Sequence, residues 1–522
     1  MDPHLLLVLI AAIVVGGICK SRDINSAIPL IVAGFAIDGL IPKTAEELLN
    51  PELILTLILA PLVFAAGLAS SAVDLRQVRR SVLLLAVVLV VLTTAAVGGV
   101  AAALVSLPLA AACAFGAAVA PTDAVAAKAV ADRSGLPRRV TLIIEGESLA
   151  NDGTALTILR VAVAATTAGA ITALAAGKIL VLAVVGGVLL GALGGFAISW
   201  AMRMAKEPVV ANAILLLAPF GLYELSEALG GSGLLTLVIA GVWIAHATWA
   251  GSGYQARLQA MSVWSLVTFL LESFAFVLVG VEFLDTYNKI IEPNALTIGF
   301  YALLLTAVIF IVRVAFMSLW FLAGPRIAPN SFSDRRRTAR EFVAIGLLGV
   351  RGPVSVLAAF SLPETFPQRD LLLLLTFAIV VLSLCGTFAS APIIRQLNLD
   401  TETEEQHLHS ARVAVAKAAL KRLDEIVEEA GLDGEAVPEN VAQRLRSLAV
   451  RRLDSLSSTP ERASVAVDQV KSSRRLQRAM LQAERDELRR LQVERHTPGD
   501  IVRQLTHELD LREAALGQSG RG

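Results

Sequence analysis

The stretch Ile143–Ile158 reads IIEGESLANDGTALTI, and places Glu145, Glu147, Ser148, Asn151 and Asp152 among residues apolar enough for the interior of a bilayer. A charged side chain at mid-membrane costs roughly 2.5–3.5 kcal/mol on insertion scales, so such groups persist where they face a cavity or a partner. On a helix, Ser148 and Asp152 share one face, with Glu145 one turn from the first and two from the second. Glu147 and Asn151 share a different face. Two polar faces imply two tasks. One lines an ion site; the other forms a buried pair with a base elsewhere.

The second motif is APTDAVAAKAV, residues 120–130. Pro121 removes a backbone donor and disfavours helix continuation just ahead of Thr122 and Asp123. Freed carbonyls beside a carboxylate make an oxygen-rich site suited to a hard cation such as Na⁺. A plain capping role for Thr122 or Asp123 would put them at a membrane surface, and the apolar run on both sides argues against it. A carboxylate holds either a proton or a cation. A site that binds either, and moves only when occupied, is an antiporter.

Buried bases complete the set. Arg313 lies deep in LTAVIFIVRVAFMSLWF and Arg351 in IGLLGVRGPVSVLAAF, and each should meet a carboxylate. Lys128 sits nearer the end of its apolar run and reads as a snorkelling side chain.

The elements that must position these groups are membrane spans. Crossing about 30 Å of hydrocarbon takes about 20 apolar residues. About thirteen such runs follow one another: 4–19, 24–41, 51–69, 81–106, 108–131, 140–165, 175–202, 209–228, 232–248, 262–284, 295–323, 341–361 and 370–394. The loops after spans one, three, five, seven and eleven are basic: Lys20 and Arg22, then Arg76, Arg79 and Arg80, then Arg133, Arg138 and Arg139, then Arg203 and Lys206, then PRIAPNSFSDRRRTAR. Positive-inside counting puts those loops in the cytoplasm, the N-terminus outside and the C-terminus inside. Spans five and twelve both carry a mid-membrane proline, and their offset of seven makes them cross in opposite directions. Paired interruptions of this kind point to an inverted-repeat transporter with a midplane site. Span seven then links two six-span halves. The fold class expected is an all-α polytopic membrane protein, residues 1–397, with a soluble helical tail.

Composition agrees: 55% of the 522 residues are hydrophobic and 17% charged, against about 45–50% and about 25% in soluble domains. The first apolar run lacks a small-residue cleavage pattern and reads as a span, not a removed signal. The formal net charge of zero argues against a nucleic-acid partner. Cys19, Cys113 and Cys385 fall in apolar runs without metal or disulfide spacing and read as small core residues. No metal cluster, nucleophile motif or phosphate loop suggests an enzyme or a cofactor. From residue 398 the chain turns rich in Glu, Arg, Gln, Leu and Ala. It promises a helix closing at GLDG and a helical pair around HTPGD.

The motifs PTDAV (121–125), EGESLANDG (145–153) and GVRGPVS (349–355), in that order, resemble those of the monovalent cation:proton antiporters, sodium/proton exchanger branch. The resemblance covers the spans to about residue 395. It implies crossing broken helices, and a homodimer in the plasma membrane whose protomers carry the ion by an elevator-like movement of a core against a dimerisation domain. It implies Na⁺, or Li⁺ or K⁺, held at Asp152 with Asp123, Thr122 and Ser148, and Asn151 marking the electroneutral, one-for-one branch. It also implies Glu147 paired with Arg313, Arg351 supporting the crossing, and no cofactor beyond the transported ions. Two departures stand out. LVFAAGLASS has Ala65 and Ala66 where many relatives carry a glutamate, and Ala124 replaces a common proline. The tail resembles bacterial exchanger tails and suggests a regulatory partner. The alternatives are a sodium-coupled symporter, for which Tyr223, Glu224 and Glu272 are the few candidate solute contacts, and a membrane sensor with the tail as output.

Overall fold

The computed structural model describes residues 3–22, 24–40, 55–167, 173–205, 207–249, 254–290, 294–327, 335–397, 402–432 and 438–457, with a few isolated positions besides. Among the described residues all regular structure is helical, with no strand. Helices are the form in which an apolar run satisfies its own backbone in lipid. The chain divides into two compact units, 1–401 and 402–522.

The first unit opens with α1 (Pro3–Ser21) and α2 (Ala27–Leu40). A π-helical stretch, Leu55–Leu59, runs into α3 (Ala60–Ala69) beside Pro61, whose ring clashes with a regular α-helical turn. The amphipathic α4 (Ala72–Leu83) continues through a π-helical stretch, Leu84–Leu89, into α5 (Val90–Val105). Span five is two helices, α6 (Leu109–Val119) and α7 (Ala124–Ser134). Then come α8 (Arg138–Thr167), α9 (Ala173–Met204), α10 (Pro208–Ala228), α11 (Gly233–Trp249), α12 (Tyr254–Lys289) and α13 (Ala295–Ile327). Span twelve is also broken, into α14 (Arg335–Leu347) and α15 (Pro353–Phe360), before α16 (Arg369–Gln396). Among the described residues seven stretches are long and apolar enough to cross a membrane, and four shorter apolar helices accompany them. The fourth apolar run starts earlier than its hydropathy suggests. The basic helix α4, capped by Ser71 accepting from the Asp74 N–H, is continuous with it.

The helices pack as two bundles. In one, α1–α3 and α9–α12 contact mainly each other; in the other, α4–α8 and α13–α16 do. Each half of the span order therefore contributes to both bundles. Small residues allow close approach, as is usual between helices in lipid. Gly34 of α2 and Gly280 of α12 meet backbone to backbone. A lighter set of contacts, among them α12 on α15 and α16 and α8 on α9 and α11, joins the bundles.

Two sequence expectations need correction. Cys19 is buried, but Cys113 is only half-buried and Cys385 is exposed, because it lies on the outer face of α16. The second unit holds α17 (Glu402–Leu432), which ends near the expected GLDG, and a helix not anticipated from sequence, α18 (Glu439–Ser457). Arg446 of α18 pairs with Asp424 of α17. Both partners are exposed, so the pair adds little stability. The helical pair expected around HTPGD lies outside the described residues.

Candidate ion-binding site

The two breaks meet inside the second bundle. Between α6 and α7 the chain is non-helical over Ala120–Asp123, and between α14 and α15 over Leu348–Gly352. They are tied directly: the Asp123 N–H donates to the Val350 carbonyl at 2.8 Å. Each helix end presents unpaired backbone groups and a fraction of a charge, positive at the N-terminus and negative at the C-terminus.

Two charged side chains answer those four ends, and for Arg351 this replaces the carboxylate expected from sequence: its side chain is satisfied by backbone carbonyls. Arg351, buried, donates from Nε to the Val119 carbonyl that ends α6 (2.8 Å) and from Nη1 to the Gly349 carbonyl just past α14 (2.9 Å). Its backbone N–H donates to Ser383 Oγ of α16 at 3.0 Å. Asp123 stands at the opposite ends. Its Oδ1 accepts from the Val125 N–H at 2.9 Å, capping α7, and its carboxylate lies against Gly352, the N-cap of α15. Any side chain at 352 would run into that carboxylate. Capping and burial, alternatives in the sequence reading, coincide here, because the helix that Asp123 caps begins inside the bundle and not at its surface.

α8 runs alongside with both of its polar faces turned to Thr122. Ser148 Oγ donates to the Thr122 carbonyl (2.6 Å), and Asn151 Nδ2 donates to Thr122 Oγ1 (2.7 Å). Thr122 Oγ1 in turn donates to Glu147 Oε1 at 3.4 Å. The two faces expected to do separate work thus converge on one residue. Glu147 is also held by Arg313 of α13 in a two-point pair, Nη1 to Oε1 at 2.5 Å and Nη2 to Oε2 at 2.8 Å. Both side chains are about 97% buried or more, at 3% and 2% exposure. Arg313 donates further to the Ile345 carbonyl in the last turn of α14 (3.2 and 3.0 Å), and it passes over Gly349, where a Cβ would strike it. A fork-shaped guanidinium suits this use, since it bonds a carboxylate and a carbonyl together.

Inside this frame several buried oxygens have no hydrogen-bond partner: Asp123 Oδ2, Asp152 Oδ1, Asn151 Oδ1 and Ser355 Oγ. Asp152 is buried on α8, and its charge interacts with that of Asp123. Unpaired buried acceptors are costly, and they are the atoms that a desolvated hard cation or a proton would satisfy.

The remaining sequence candidates lie elsewhere. Glu145 does not join Asp152; it accepts from Lys128 Nζ at 2.5 Å, one turn below Ser148. Lys128 is therefore paired and not simply snorkelling. Both line a cavity of about 290 Å³ together with Asp74 and Arg138, themselves 2.6 Å apart. Tyr223 and Glu224 lie on α10 of the other bundle, where Glu224 accepts from Thr56 at 3.1 Å. Glu272, half-buried on α12, is the exception, since its charge interacts with that of Asp123 from the other bundle, and Ala65 is buried on α3 beside an exposed Ala66. Ser355 and Ser383 were not singled out in the sequence. Ser355 belongs to the third motif, so its position was in view, but an alcohol in an apolar helix gives no distinctive pattern.

Crossed interrupted helices, with carboxylates at their inner ends and a buried arginine–glutamate brace, are the architecture of a secondary-transporter membrane protein. Residues 5–396 match the family profile described as sodium/hydrogen exchanger, transmembrane, so the chain belongs to the sodium/hydrogen exchanger family of cation:proton antiporters. A Bacillus pumilus protein named a sodium, potassium, lithium and rubidium/H⁺ antiporter is 31% identical over 81% of this chain, which spans 66% of that relative's length. An Escherichia coli protein named an uncharacterized Na⁺/H⁺ exchanger, YjcE, is 28% identical over 95% of each chain. The fold is similar to that of the sodium proton antiporter MjNhaP1 of Methanocaldococcus jannaschii. The TM-score is 0.62 at 19% identity, covering 76% of this chain and 97% of that one.

Proposed function

We propose that the protein is a secondary active transporter that exchanges a monovalent cation, Na⁺ foremost, for H⁺ across the cell membrane. The observation that carries this reading is the set of partnerless buried oxygens of Asp123 in one break, Asn151 and Asp152 on α8, and Ser355 on α15. These atoms accept a cation, and the two carboxylates also accept a proton, so each ligand excludes the other. Asp152, Asp123, Thr122 and Ser148 hold the cation. Asn151 orients Thr122, and Glu147 with Arg313 and Arg351 keeps the frame.

The charge balance supports one-for-one exchange. Asp123 is matched by the N-terminal ends of α7 and α15, Glu147 by Arg313, and residue 151 is an amide. Of the acids in the second bundle's frame, Asp152 is then the one left to trade a proton for a cation. The two bundles support an elevator movement, since every site residue named lies in the second bundle and the contacts between bundles are lighter than those within them. The fuller arrangement goes with this reading: about thirteen spans in two inverted six-helix repeats, a homodimer, the N-terminus outside and the tail in the cytoplasm.

The test uses inside-out vesicles holding a dye-reported pH gradient, with NaCl, KCl or LiCl added in turn. Wild type is expected to dissipate the gradient on Na⁺ addition at a rate insensitive to membrane potential, and Asp152→Asn is expected not to. Protein that is correctly inserted yet moves no protons with any of the three cations would overturn the reading.

A further inference from the structure

The cavity and the ion site occupy one stripe of α8. Glu145 borders the cavity, and Ser148 and Asp152 follow at intervals of three and four residues, so the site lies about 10 Å beyond the cavity along the helix axis. Some 12 Å further along, at Arg160, the stripe ends in a different arrangement. Arg160 Nη1 and Nη2 meet Glu227 Oε2 and Oε1 of α10 at 2.5 and 2.6 Å. Glu227 is fixed by the N–H of Gly233 at the start of α11 (2.8 Å), and the Tyr223 ring borders the same position. Position 233 has no room for a side chain, because a Cβ there would strike Glu227 and Tyr223.

This pair joins the two bundles. Arg160 belongs to the bundle that carries the site, and Glu227, Tyr223 and Gly233 belong to the other. An apolar cross-bundle contact lies near it, Leu235 of α11 beside Gly153 of α8. An exchanger must present its site to one side at a time, and a site built wholly in one bundle does so by that bundle's displacement against its neighbour. Such a displacement cannot keep a two-point pair whose acceptor is fixed by a backbone N–H.

We propose that Arg160 and Glu227 form a latch that holds the site open toward the Lys128–Glu145 cavity and closed at the opposite end, and that this latch breaks each time the site turns to that end. The proposal rests on the exchange reading above, but its test does not need transport. Leu235 is replaced by cysteine in a chain whose Cys19, Cys113 and Cys385 are alanine, and an impermeant maleimide is applied to reconstituted protein from each side separately. With the latch intact, labelling from the Arg160 end is slow. Glu227→Gln is expected to raise that rate roughly fivefold, the scale of a partly exposed ion pair, with no rise in labelling from the cavity end. The charge exchange Arg160→Glu with Glu227→Arg is expected to bring the rate back toward the starting value. Equal labelling of wild type and Glu227→Gln from the Arg160 end, in protein of unchanged melting temperature, overturns the latch. So does a Glu227→Gln increase that is the same from both ends, which marks general loosening. Loss of Na⁺-driven proton movement with the labelling pattern intact would count against the exchange reading and leave the latch standing.

Discussion

Thr122 uses every polar atom not in its backbone N–H to hold α8. Its carbonyl takes Ser148, and its hydroxyl takes Asn151 and gives to Glu147. Thr122→Val keeps the shape and removes the hydroxyl, leaving the Asn151 amide without its partner. The expected cost is about 1–3 kcal/mol of stability, the usual penalty for a stranded buried donor, together with a weaker apparent affinity for Na⁺. A thermal melt in detergent beside a Na⁺ titration of proton movement checks both; an unchanged affinity would remove Thr122 from the site. Glu147 and Arg313 present a sharper case, because breaking one side of a buried pair strands a charge. Glu147→Gln should lose about 3–5 kcal/mol, read as a large fall in melting temperature or in folded yield. The residue types of this network were legible in sequence, since charged groups inside apolar runs are conspicuous. Which acid meets which base was not, because Glu147 and Arg313 are 166 positions apart.

At the scale of elements, the two broken helices are held by complementary charges at their ends, and the glycines beside them keep the space for those charges. Gly352→Ala places a methyl group against the Asp123 carboxylate and should abolish exchange, whereas Gly99→Ala, with open space around its added Cβ, should not. Since Ala is the better helix former, Gly99→Ala is expected to stabilise the protein by up to about 1 kcal/mol. Wild-type rates in Gly352→Ala would mean that Asp123 does not need its place at the α15 N-terminus. Pro121 and Pro353 made the breaks visible in sequence, through the backbone donors they remove. The tie from Asp123 to Val350 was not visible. A main-chain hydrogen bond has no residue signature.

The whole molecule divides at residue 401, and everything described as the site lies before it. The fragment 1–401 is therefore expected to insert and exchange on its own, with any change confined to how the rate is regulated. Vesicle assays on the fragment check this; a fragment that inserts but is inactive would assign the tail a part in the transport cycle itself. The arrangement into two bundles belongs to the same scale. Spans one to three leave their sequence neighbours and pack with α9–α12, which no loop length or hydropathy profile reveals. The Lys128–Glu145 pair illustrates the same difficulty locally. Lys128 near the end of an apolar run fits snorkelling, until α8 is seen to bring Glu145 to it.

By itself the sequence determined that the chain is helical and membrane-embedded, that polar and charged groups gather at two proline breaks and one acidic helix, and that buried bases must find partners, which the fold supplies as an acid for Arg313 but as helix-end carbonyls for Arg351. Those features follow from local physics: the length needed to cross hydrocarbon, the missing N–H of proline, and the cost of a charge in lipid. Only the tertiary structure decided that Arg351 and Asp123 would share out the four ends of two crossing helices, that both faces of α8 would meet at Thr122, and that Arg160 would reach across to Glu227. Those pairings rest on helix packing, and packing joins groups by distance in space, to which their separation along the chain is no guide.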